Sequence, residues 1–321
     1  NEERFPKKIR AGKAGKQKVR FQYFEDCYKE NAFLAEDIRQ TVQNGVPLSE
    51  IAVLFRTNMQ PRALMEYMVS ANLAFQTKDR IPDIYEHWIA RDFFTYIRIA
   101  QGSDSRADFL SIMNRPKRYI GRDSLPDETV CFDEWMKLYE EQPWIAERIE
   151  KLWYDLKHLS RLSPYAAINY IRRGIGYDDY LAEYAEYRNA NKEDFYEVAD
   201  EILASAKGYR TFEEWFAHIE EYRQELKRLA QEKRRNQNAV TFATLHSAKG
   251  LEFTKVYLID VNEGVMPYKK AVLKQDVEEE RRLFYVGMTR AKESLTICSV
   301  KKMRGKEVEL SRFIKEAGKE P

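Results

Sequence analysis

The stretch Val240-Thr-Phe-Ala-Thr-Leu-His-Ser-Ala-Lys-Gly-Leu-Glu-Phe-Thr-Lys-Val-Tyr-Leu-Ile-Asp260 predicts two buried strands joined by a polar loop. Val240 to Leu245 and Lys255 to Ile259 are short runs rich in apolar and β-branched residues, which is typical of strands inside a sheet. Gly250 permits a tight turn between them, and Ser247 is a residue type that caps helices. In open α/β sheets, ligands bind beyond the carboxyl ends of the strands, and a helix beginning in this loop would offer N–H groups to a phosphate.

Working outward, the other segments alternate between strand and helix patterns. The predicted strands are residues 19–24, 51–55 and 294–300, and the predicted helices are 31–44, 61–71, 277–289 and a last one after Ser311. Alternation of this kind favours an α/β fold with a parallel sheet and right-handed crossovers.

The middle of the chain has a different pattern. Apolar residues recur at helical spacing from about Pro82 to Arg235, and aromatic residues are frequent. We therefore predict an all-helical domain, residues 79–237, inserted between strands of a domain made of 1–78 and 238–321. Four tryptophans of the insertion are expected in its core: Trp135, Trp144, Trp153 and Trp215.

Size and charge limit the possible functions. At 321 residues the chain has room for about two domains. The net charge is only +2, so nucleic-acid binding would need a local basic surface. Basic residues cluster in 6–20 and 227–235, and both clusters could contact phosphates. Alternatively, residues 6–20 are a solvated segment before the first strand, and the cations of 227–235 stabilise the end of the last helix of the insertion. The three cysteines lie far apart and no apolar run is long enough to cross a membrane, which favours a reducing, cytoplasmic location.

The loop segment carries a recognisable motif. Thr244-Leu245-His246, followed by Lys249-Gly250-Leu251-Glu252-Phe253, resembles motif V of the UvrD/Rep type of superfamily 1 DNA helicases. The resemblance implies that Thr244 and His246 contact the backbone of single-stranded DNA. It also implies that Glu252 contacts the sugar of ATP.

A second motif follows it. Glu279-Glu-Arg-Arg-Leu-Phe-Tyr-Val-Gly-Met-Thr-Arg-Ala291 resembles motif VI of the same family. Arg290 then corresponds to the catalytic arginine that reaches the γ-phosphate of ATP, a task suited to a permanently charged guanidinium. Without the resemblance, the segment would be interpreted as a surface helix with Glu/Arg pairs.

Two more segments resemble DNA-contacting parts of the family. The first is the segment Ile51-Ala-Val-Leu-Phe-Arg-Thr-Asn-Met-Gln60. Its resemblance implies that Arg56 and Asn58 lie near the DNA; alternatively, they cap the next helix. The second is the segment Asn114-Arg-Pro-Lys-Arg-Tyr-Ile-Gly121, which resembles a turn that lies against duplex DNA. The resemblance implies contacts with DNA phosphates; alternatively, the segment is a plain solvated loop. Tyr119 stands where the family has glycine. The cations of this turn are Arg115, Lys117 and Arg118.

The sequence lacks the phosphate loop of a complete motor. No G-x-x-x-x-G-K-[ST] segment occurs, and Gly12-Lys-Ala-Gly-Lys-Gln17 does not have its spacing. The resemblance therefore implies the C-terminal part of a 3′-to-5′ helicase: a RecA-like sheet with helices on both faces, interrupted by the insertion called 2B. ATP with Mg²⁺ would be bound mainly by the N-terminal RecA-like half of the same polypeptide, and this part alone should not hydrolyse ATP.

The expected partners are single-stranded DNA, the junction of single-stranded and duplex DNA, and that N-terminal half, with no membrane. Two alternatives remain open at this point. One is a non-catalytic nucleic-acid-binding or regulatory module derived from a helicase. The other is a subunit of a helicase–nuclease, although no carboxylate cluster for nuclease chemistry follows the last helix.

Overall fold

The computed structural model describes residues 19–231 and 238–318, which form two compact units. The unit called here the sheet unit consists of the chain up to residue 82 and from residue 222 onward. The helical unit consists of residues 83–221. The basic residues predicted in 6–18 and in 233–235 lie outside the described residues.

The sheet unit is built on parallel strands. Its strands are β1 (Val19–Asp26), β2 (Ile51–Phe55), β3 (Phe75–Thr77), β4 (Val240–Thr244), β5 (Phe253–Leu258), β6 (Ala291–Met303) and β7 (Lys306–Glu307). The order is β1-β6-β5-β2-β4-β3 with all of these neighbours parallel, and β7 pairs antiparallel to β6. The predicted parallel α/β sheet is confirmed, although β3 was missed because it is only three residues long.

Helices cover both faces of this sheet. They are α1 (Cys27–Gln43), α2 (Arg62–Ser70), α11 (Lys274–Met288) and α12 (Arg312–Glu316). Side chains alternate along a strand, and on β5 both Lys255 and Tyr257 reach Asp37 of α1, each at 2.6 Å. The opposite face packs an apolar core shared with α11 and α12; its members include Val256, Leu258, Phe284 and Phe313.

Helix α1 begins four residues earlier than predicted. Asp26 is in an extended conformation, and its side chain accepts a hydrogen bond from the main-chain nitrogen of Lys29 at 3.0 Å. This cap satisfies a donor of the first turn, so the helix can begin at Cys27 although its apolar spacing becomes clear only later.

The helical unit surrounds α3. Its helices are α3 (Trp88–Ala100), α4 (Arg106–Ile112), α5 (Phe132–Lys137), α6 (Pro143–Leu159), α7 (Pro164–Arg173), α8 (Tyr177–Tyr187) and α9 (Lys192–Ser205), while α10 (Phe212–Gln231) leads back toward β4. Trp135 and Trp215 are buried as expected. The expectation is wrong for Trp144, which is 49% exposed because the second residue of α6 lies on the outer side of that helix. Among the described residues, no helix combines the length and apolar character needed to cross a membrane.

Candidate functional site

The loop between β4 and β5 leaves the sheet through two hydrogen-bonded turns. Ala248 donates from its main-chain nitrogen to the carbonyl of Thr244 at 2.9 Å, and Lys249 donates to that of His246 at 3.3 Å. Gly250 has φ of +85°, a conformation that favours glycine, and the chain reverses into β5. The helix start considered at Ser247 is therefore wrong: the segment to Gly250 is too short to continue beyond a turn.

Asp79 fixes the start of this loop. Its carboxylate accepts from the main-chain nitrogen of Thr244 at 2.7 Å and from Thr244 Oγ1 at 3.3 Å, and it also accepts from Ser247 Oγ. Ser247 returns a main-chain hydrogen bond to Thr244 Oγ1 at 3.2 Å. Sequence reasoning missed Asp79, because the short strand before it, Phe75–Thr77, contains only one apolar residue and gives little local signal.

His246 and Thr244 differ in accessibility. Thr244 is buried, with only 9% of its surface exposed, whereas His246 and Lys249 are exposed. The loop therefore presents an imidazole and an ammonium group to a ligand, while the Thr244 hydroxyl is oriented by Asp79.

Arg290 follows α11 and contacts the far end of the same loop. Its Nη1 donates to the main-chain carbonyl of Leu251 at 3.0 Å, and its Nε donates to the carbonyl of Val286 at 2.9 Å. Its Nη2 donates to Thr289 Oγ1 at 3.0 Å. The main-chain carbonyl of Arg290 in turn accepts from the nitrogen of Phe253 at 2.9 Å. The half-buried guanidinium is thus held beside Glu252, whose side chain is exposed.

Gly287 allows α11 to approach the loop this closely. A Cβ atom at this position would lie 2.3 Å from Cδ2 of Leu245 and 3.3 Å from Cδ2 of Leu258. A side chain at this position would therefore require the buried Leu245 side chain to move. The glycine in the motif VI segment therefore has a packing role that the sequence alone did not reveal.

Arg56 is engaged by a carboxylate of α11. Its Nε and Nη2 donate to the two oxygens of Glu280 at 2.9 and 2.8 Å, and its guanidinium lies 5.1 Å from the ring centroid of Tyr268. Glu280 is buried and also accepts from the main-chain nitrogen of Tyr268 at 3.1 Å. Sequence reasoning missed Glu280 and Tyr268, because nothing local links them to β2.

Asn58 lies in the turn that follows β2. Its Oδ1 atom is buried and has no hydrogen-bond partner among the described residues. A buried amide oxygen without a partner is costly and uncommon in folded proteins. Phe55 is paired with Thr244 across the sheet, so the turns carrying Arg56, Asn58 and His246 leave neighbouring strands at the same edge.

The turn in the helical unit uses its cations differently. Arg115 Nη1 donates to both oxygens of Asp92 at 2.7 and 3.0 Å. Arg118 is buried, and its guanidinium donates to the carbonyls of Ile112 and Met113 at 3.2 and 3.1 Å. This placement argues against the predicted phosphate contact of Arg118, because its Nη1 donors close the turn from inside. Lys117 is exposed.

A buried carboxyl pair lies at the same sheet edge as the loop. Glu30 Oε1 accepts from the main-chain nitrogen of Asp260 at 3.2 Å, and Gln60 Nε2 donates to Asp260 Oδ2 at 3.3 Å. Burial, followed by the nearby charge of Asp260, raises the pKa of Glu30 well above its ordinary value. Burial, with the charge of Glu30 next, likewise raises the pKa of the Cys298 thiol.

Comparison with known proteins matches this architecture. The family model described as the UvrD-like helicase C-terminal domain matches residues 1–130 and 135–302. The chain is 26% identical, over 98% of its length, to the putative ATP-dependent DNA helicase YjcD of Bacillus subtilis strain 168. It is 28% identical over 94% of its length to the ATP-dependent DNA helicase PcrA of the same organism. It is 27% identical over 85% of its length to the ATP-dependent DNA helicase Rep of Salmonella typhimurium strain LT2.

The matches cover only part of these relatives. The chain spans 42% of YjcD, 43% of PcrA and 44% of Rep, which is less than half of each. The resemblance seen in the two motifs is confirmed, and the chain belongs to the family of UvrD-like helicase C-terminal domains.

Proposed function

We propose that this chain is the C-terminal portion of an ATP-dependent DNA helicase that moves 3′ to 5′ on single-stranded DNA and unwinds duplex. The observation that carries the proposal is the contact of Arg290 with the carbonyl of Leu251, immediately before Glu252. This hydrogen bond connects the arginine proposed to sense the nucleotide with the loop whose residues are proposed to contact DNA. The complete reaction belongs to the longer polypeptide that contains the N-terminal RecA-like half.

The chemistry of Arg290 and Glu252 fits ATP. A guanidinium has five N–H donors, so the three hydrogen bonds of Arg290 leave two N–H groups without a partner among the described residues. In the proposed motor these donors face the γ-phosphate from across the cleft and stabilise the charge that develops during phosphoryl transfer. The exposed Glu252 carboxylate accepts from a sugar hydroxyl. Mg²⁺ and the phosphates are held mainly by the N-terminal half.

The DNA strand would cross the carboxyl ends of β2 and β4. Thr244, His246, Arg56 and Asn58 all lie at this edge, because Phe55 and Thr244 are direct neighbours in the sheet. The exposed imidazole of His246 is available to a DNA strand, whereas the unpartnered Oδ1 of Asn58 is buried beside this edge. In the helical unit, Arg115 and Lys117 are proposed to contact the duplex backbone, and Arg118 instead shapes the turn that carries them.

One loop would couple the two ligands. Thr244 begins it beside Asp79, and Leu251 ends it against Arg290. A shift of Arg290 toward phosphate moves the carbonyl of Leu251, and the short turns transmit that displacement to His246. This coupling converts closure of the ATP site into movement along the strand.

The test is ATP hydrolysis by the full-length polypeptide with and without single-stranded DNA. Arg290→Ala is expected to lower the DNA-stimulated kcat by about 10²- to 10⁴-fold, the range for loss of a positioned charge donor in the transition state. Arg282→Ala is the matched control, because Arg282 is an exposed arginine on α11, the helix that precedes Arg290. Undiminished DNA-stimulated hydrolysis in Arg290→Ala would contradict the assignment and favour a non-catalytic nucleic-acid-binding module.

The isolated chain gives a second test. Residues 1–321 alone are expected to bind single-stranded DNA without hydrolysing ATP, since no phosphate loop occurs in this sequence. Measurable DNA-stimulated hydrolysis by the purified chain would contradict the division of labour between the two halves.

A further inference from the structure

One surface of the helical unit is strongly acidic, although the whole chain has a net charge of only +2. Residues 177–201, which form α8 and most of α9, contain nine acidic residues and two basic ones. The basic residues are Arg188, which follows α8, and Lys192, which begins α9. A local excess of this kind repels phosphates and attracts cations, so the charge of this surface opposes nucleic-acid binding.

The acidic side chains that lie against the neighbouring helix are already neutralised. The buried guanidinium of Arg172 pairs with Asp178 at 2.8 Å and with Asp200 at 2.7 Å. By contrast, three acids of α8 are exposed and make no ion pair within residues 19–231 and 238–318: Asp179, Glu183 and Glu186. Their charges are available to a cation from outside this part of the chain.

These three carboxylates form a row. Asp179, Glu183 and Glu186 recur at spacings of four and three residues, so they lie along one side of α8. Like charges at this spacing weaken a helix. A negative charge in the last turn, where Glu186 lies, also opposes the helix macrodipole. The row therefore does not serve the stability of α8, and a bound polycation would remove both penalties.

A row of tyrosines lies beside the acidic row. Tyr180, Tyr184 and Tyr187 have the same spacing, one position further along the helix. Tyr187 is 84% exposed, and exposed aromatic side chains of this size are typical of protein interfaces. The two rows together are called here the α8 face, which consists of Asp179, Tyr180, Glu183, Tyr184, Glu186 and Tyr187.

Aromatic contacts hold the α8 face in place. The ring centroid of Tyr184 lies 5.0 Å from that of Trp88 on α3 and 5.7 Å from that of Phe195 on α9. Trp88 also meets Tyr180 edge to face, with centroids 6.3 Å apart. The tyrosine row is therefore attached to two other helices, so little order is lost when a ligand binds.

The negative field extends from α8 to α9. The hydroxyl of Tyr196 on α9 donates to the main-chain carbonyl of Asp178 at 3.2 Å. Burial, followed by the negative charges of Asp178, Glu193 and Asp179, raises the pKa of Tyr196. The acids of the two helices thus act on one region of the surface.

Cationic side chains complement both rows. Guanidinium and ammonium groups pair with carboxylates, and they also lie over the faces of tyrosine rings, arginine more often than lysine. Carboxylates one helical turn apart are separated by about 5–6 Å. Alternate residues of an extended segment are separated by about 7 Å, so their cations can follow the row.

We propose that the α8 face docks a lysine- and arginine-rich segment of a partner protein, with its cations paired with the three carboxylates and lying over the neighbouring tyrosine rings. The inference does not rest on the ATP or DNA chemistry of the proposed function. It adds a protein-binding surface to a unit whose other proposed contact is with duplex DNA.

The test is fluorescence anisotropy of a labelled peptide of about twelve residues, alternately arginine and alanine, with the complete 321-residue chain at low salt. Peptides with lysine or glutamate in place of arginine are titrated in parallel. The arginine peptide is expected to bind most tightly, the lysine peptide more weakly and the glutamate peptide not at all. Affinity should fall as the salt concentration rises above about 0.1 M, where exposed charges are screened beyond about 10 Å.

Paired substitutions test the acidic row. Glu183→Gln with Glu186→Gln is expected to weaken binding of the arginine peptide by about 3- to 30-fold, because two exposed ion pairs are lost. Glutamine preserves side-chain size and helix propensity. The control is Glu147→Gln with Glu150→Gln, which removes the same charge at the same spacing from exposed positions of α6. It is expected to change affinity by less than about twofold.

A single substitution tests the aromatic row. Tyr187→Ala is expected to weaken binding of the arginine peptide by about 2- to 5-fold, and Tyr187→Phe should retain affinity because the ring face remains. Tyr154→Ala, at a tyrosine that is 56% exposed on α6, is the matched control and should leave affinity unchanged.

The proposal is overturned if the arginine peptide does not bind, or if the α6 double variant loses as much affinity as the α8 double variant, since binding would then report net charge alone. Equal affinity of the Tyr187→Ala variant would remove the aromatic row from the site and overturn the proposal in this form. Sedimentation velocity of the chain without peptide is expected to give the same mass for the original chain and the α8 double variant. A dimer that this variant abolishes would assign the face to a second copy of the chain instead.

Discussion

Arg290 donates a hydrogen bond from Nη1 to the main-chain carbonyl of Leu251 at 3.0 Å, and its own carbonyl accepts one from Phe253 two residues later. The two motif segments are therefore connected by hydrogen bonds in both directions. A guanidinium that reached a phosphate would carry the loop with it, which is the physical basis of the proposed coupling between nucleotide and DNA.

Gly287→Ala is expected to destabilise the protein by about 1–3 kcal/mol, because the new methyl group would collide with Leu245. In a helix interior this substitution ordinarily stabilises by about 1 kcal/mol, so the sign of the change is diagnostic. The free energy of unfolding in urea measures it. In a Leu245→Val background the penalty should shrink, since the atom in conflict is Cδ2; an equal penalty in both backgrounds would refute the packing explanation.

Removing the Asp79 carboxylate is expected to loosen the start of the loop between β4 and β5. Asp79→Ala deletes the acceptor of the Thr244 main-chain N–H and of the Thr244 and Ser247 hydroxyls. A hydrogen bond to a charged group contributes about 1.5–3 kcal/mol, so exchange of the Thr244 amide should accelerate roughly 10- to 100-fold. Affinity for single-stranded DNA should fall with it. Asp127→Ala, at an exposed aspartate, serves as the control, and unchanged Thr244 exchange would contradict the role of Asp79.

The pair formed by Arg56 and Glu280 is expected to be strongly coupled. The side chain of Glu280 is only 9% exposed and that of Arg56 20%, so loss of either partner leaves a charge in a poorly solvated place. A double-mutant cycle with Arg56→Met and Glu280→Gln should give a coupling of about 1–3 kcal/mol in urea unfolding. The exposed pair of Arg282 and Glu279, 3.1 Å apart, should give less than about 1 kcal/mol. Equal couplings would mean that burial does not strengthen the first pair.

Stability should decrease with rising pH because of Glu30. Burial raises its folded-state pKa above the unfolded value of 4.5, so the folded chain retains a proton that the unfolded chain releases. Between the two pKa values, each pH unit removes about 1.4 kcal/mol of stability, and the favourable contribution is complete only below the unfolded pKa. Glu30→Gln should flatten this decline from about pH 5 upward. Unfolding in urea at several pH values measures it, with the exposed Glu36→Gln as control; parallel profiles for Glu30→Gln and the original chain would contradict the prediction.

Local sequence determined the elements and their order. The run Ile51–Phe55 predicted β2 at its observed bounds, since an apolar run of this short length favours a buried strand over a helix. The alternation of strands and helices predicted the parallel sheet, and the two motif segments predicted where the chain changes from scaffold to functional loop. These features depend on neighbours within a few residues, which a sequence displays directly.

Only the tertiary structure decided which side chains meet and which face solvent. Asp79 reaches Thr244 across 165 positions and Arg56 reaches Glu280 across 224, because the strand order places distant segments side by side. The sequence could not distinguish the buried Arg118 from the exposed Lys117 on one short turn. It determined the chemical groups available to this protein, and the packing of the sheet and helices decided their partners, because burial and pairing arise from contacts between residues far apart in the chain.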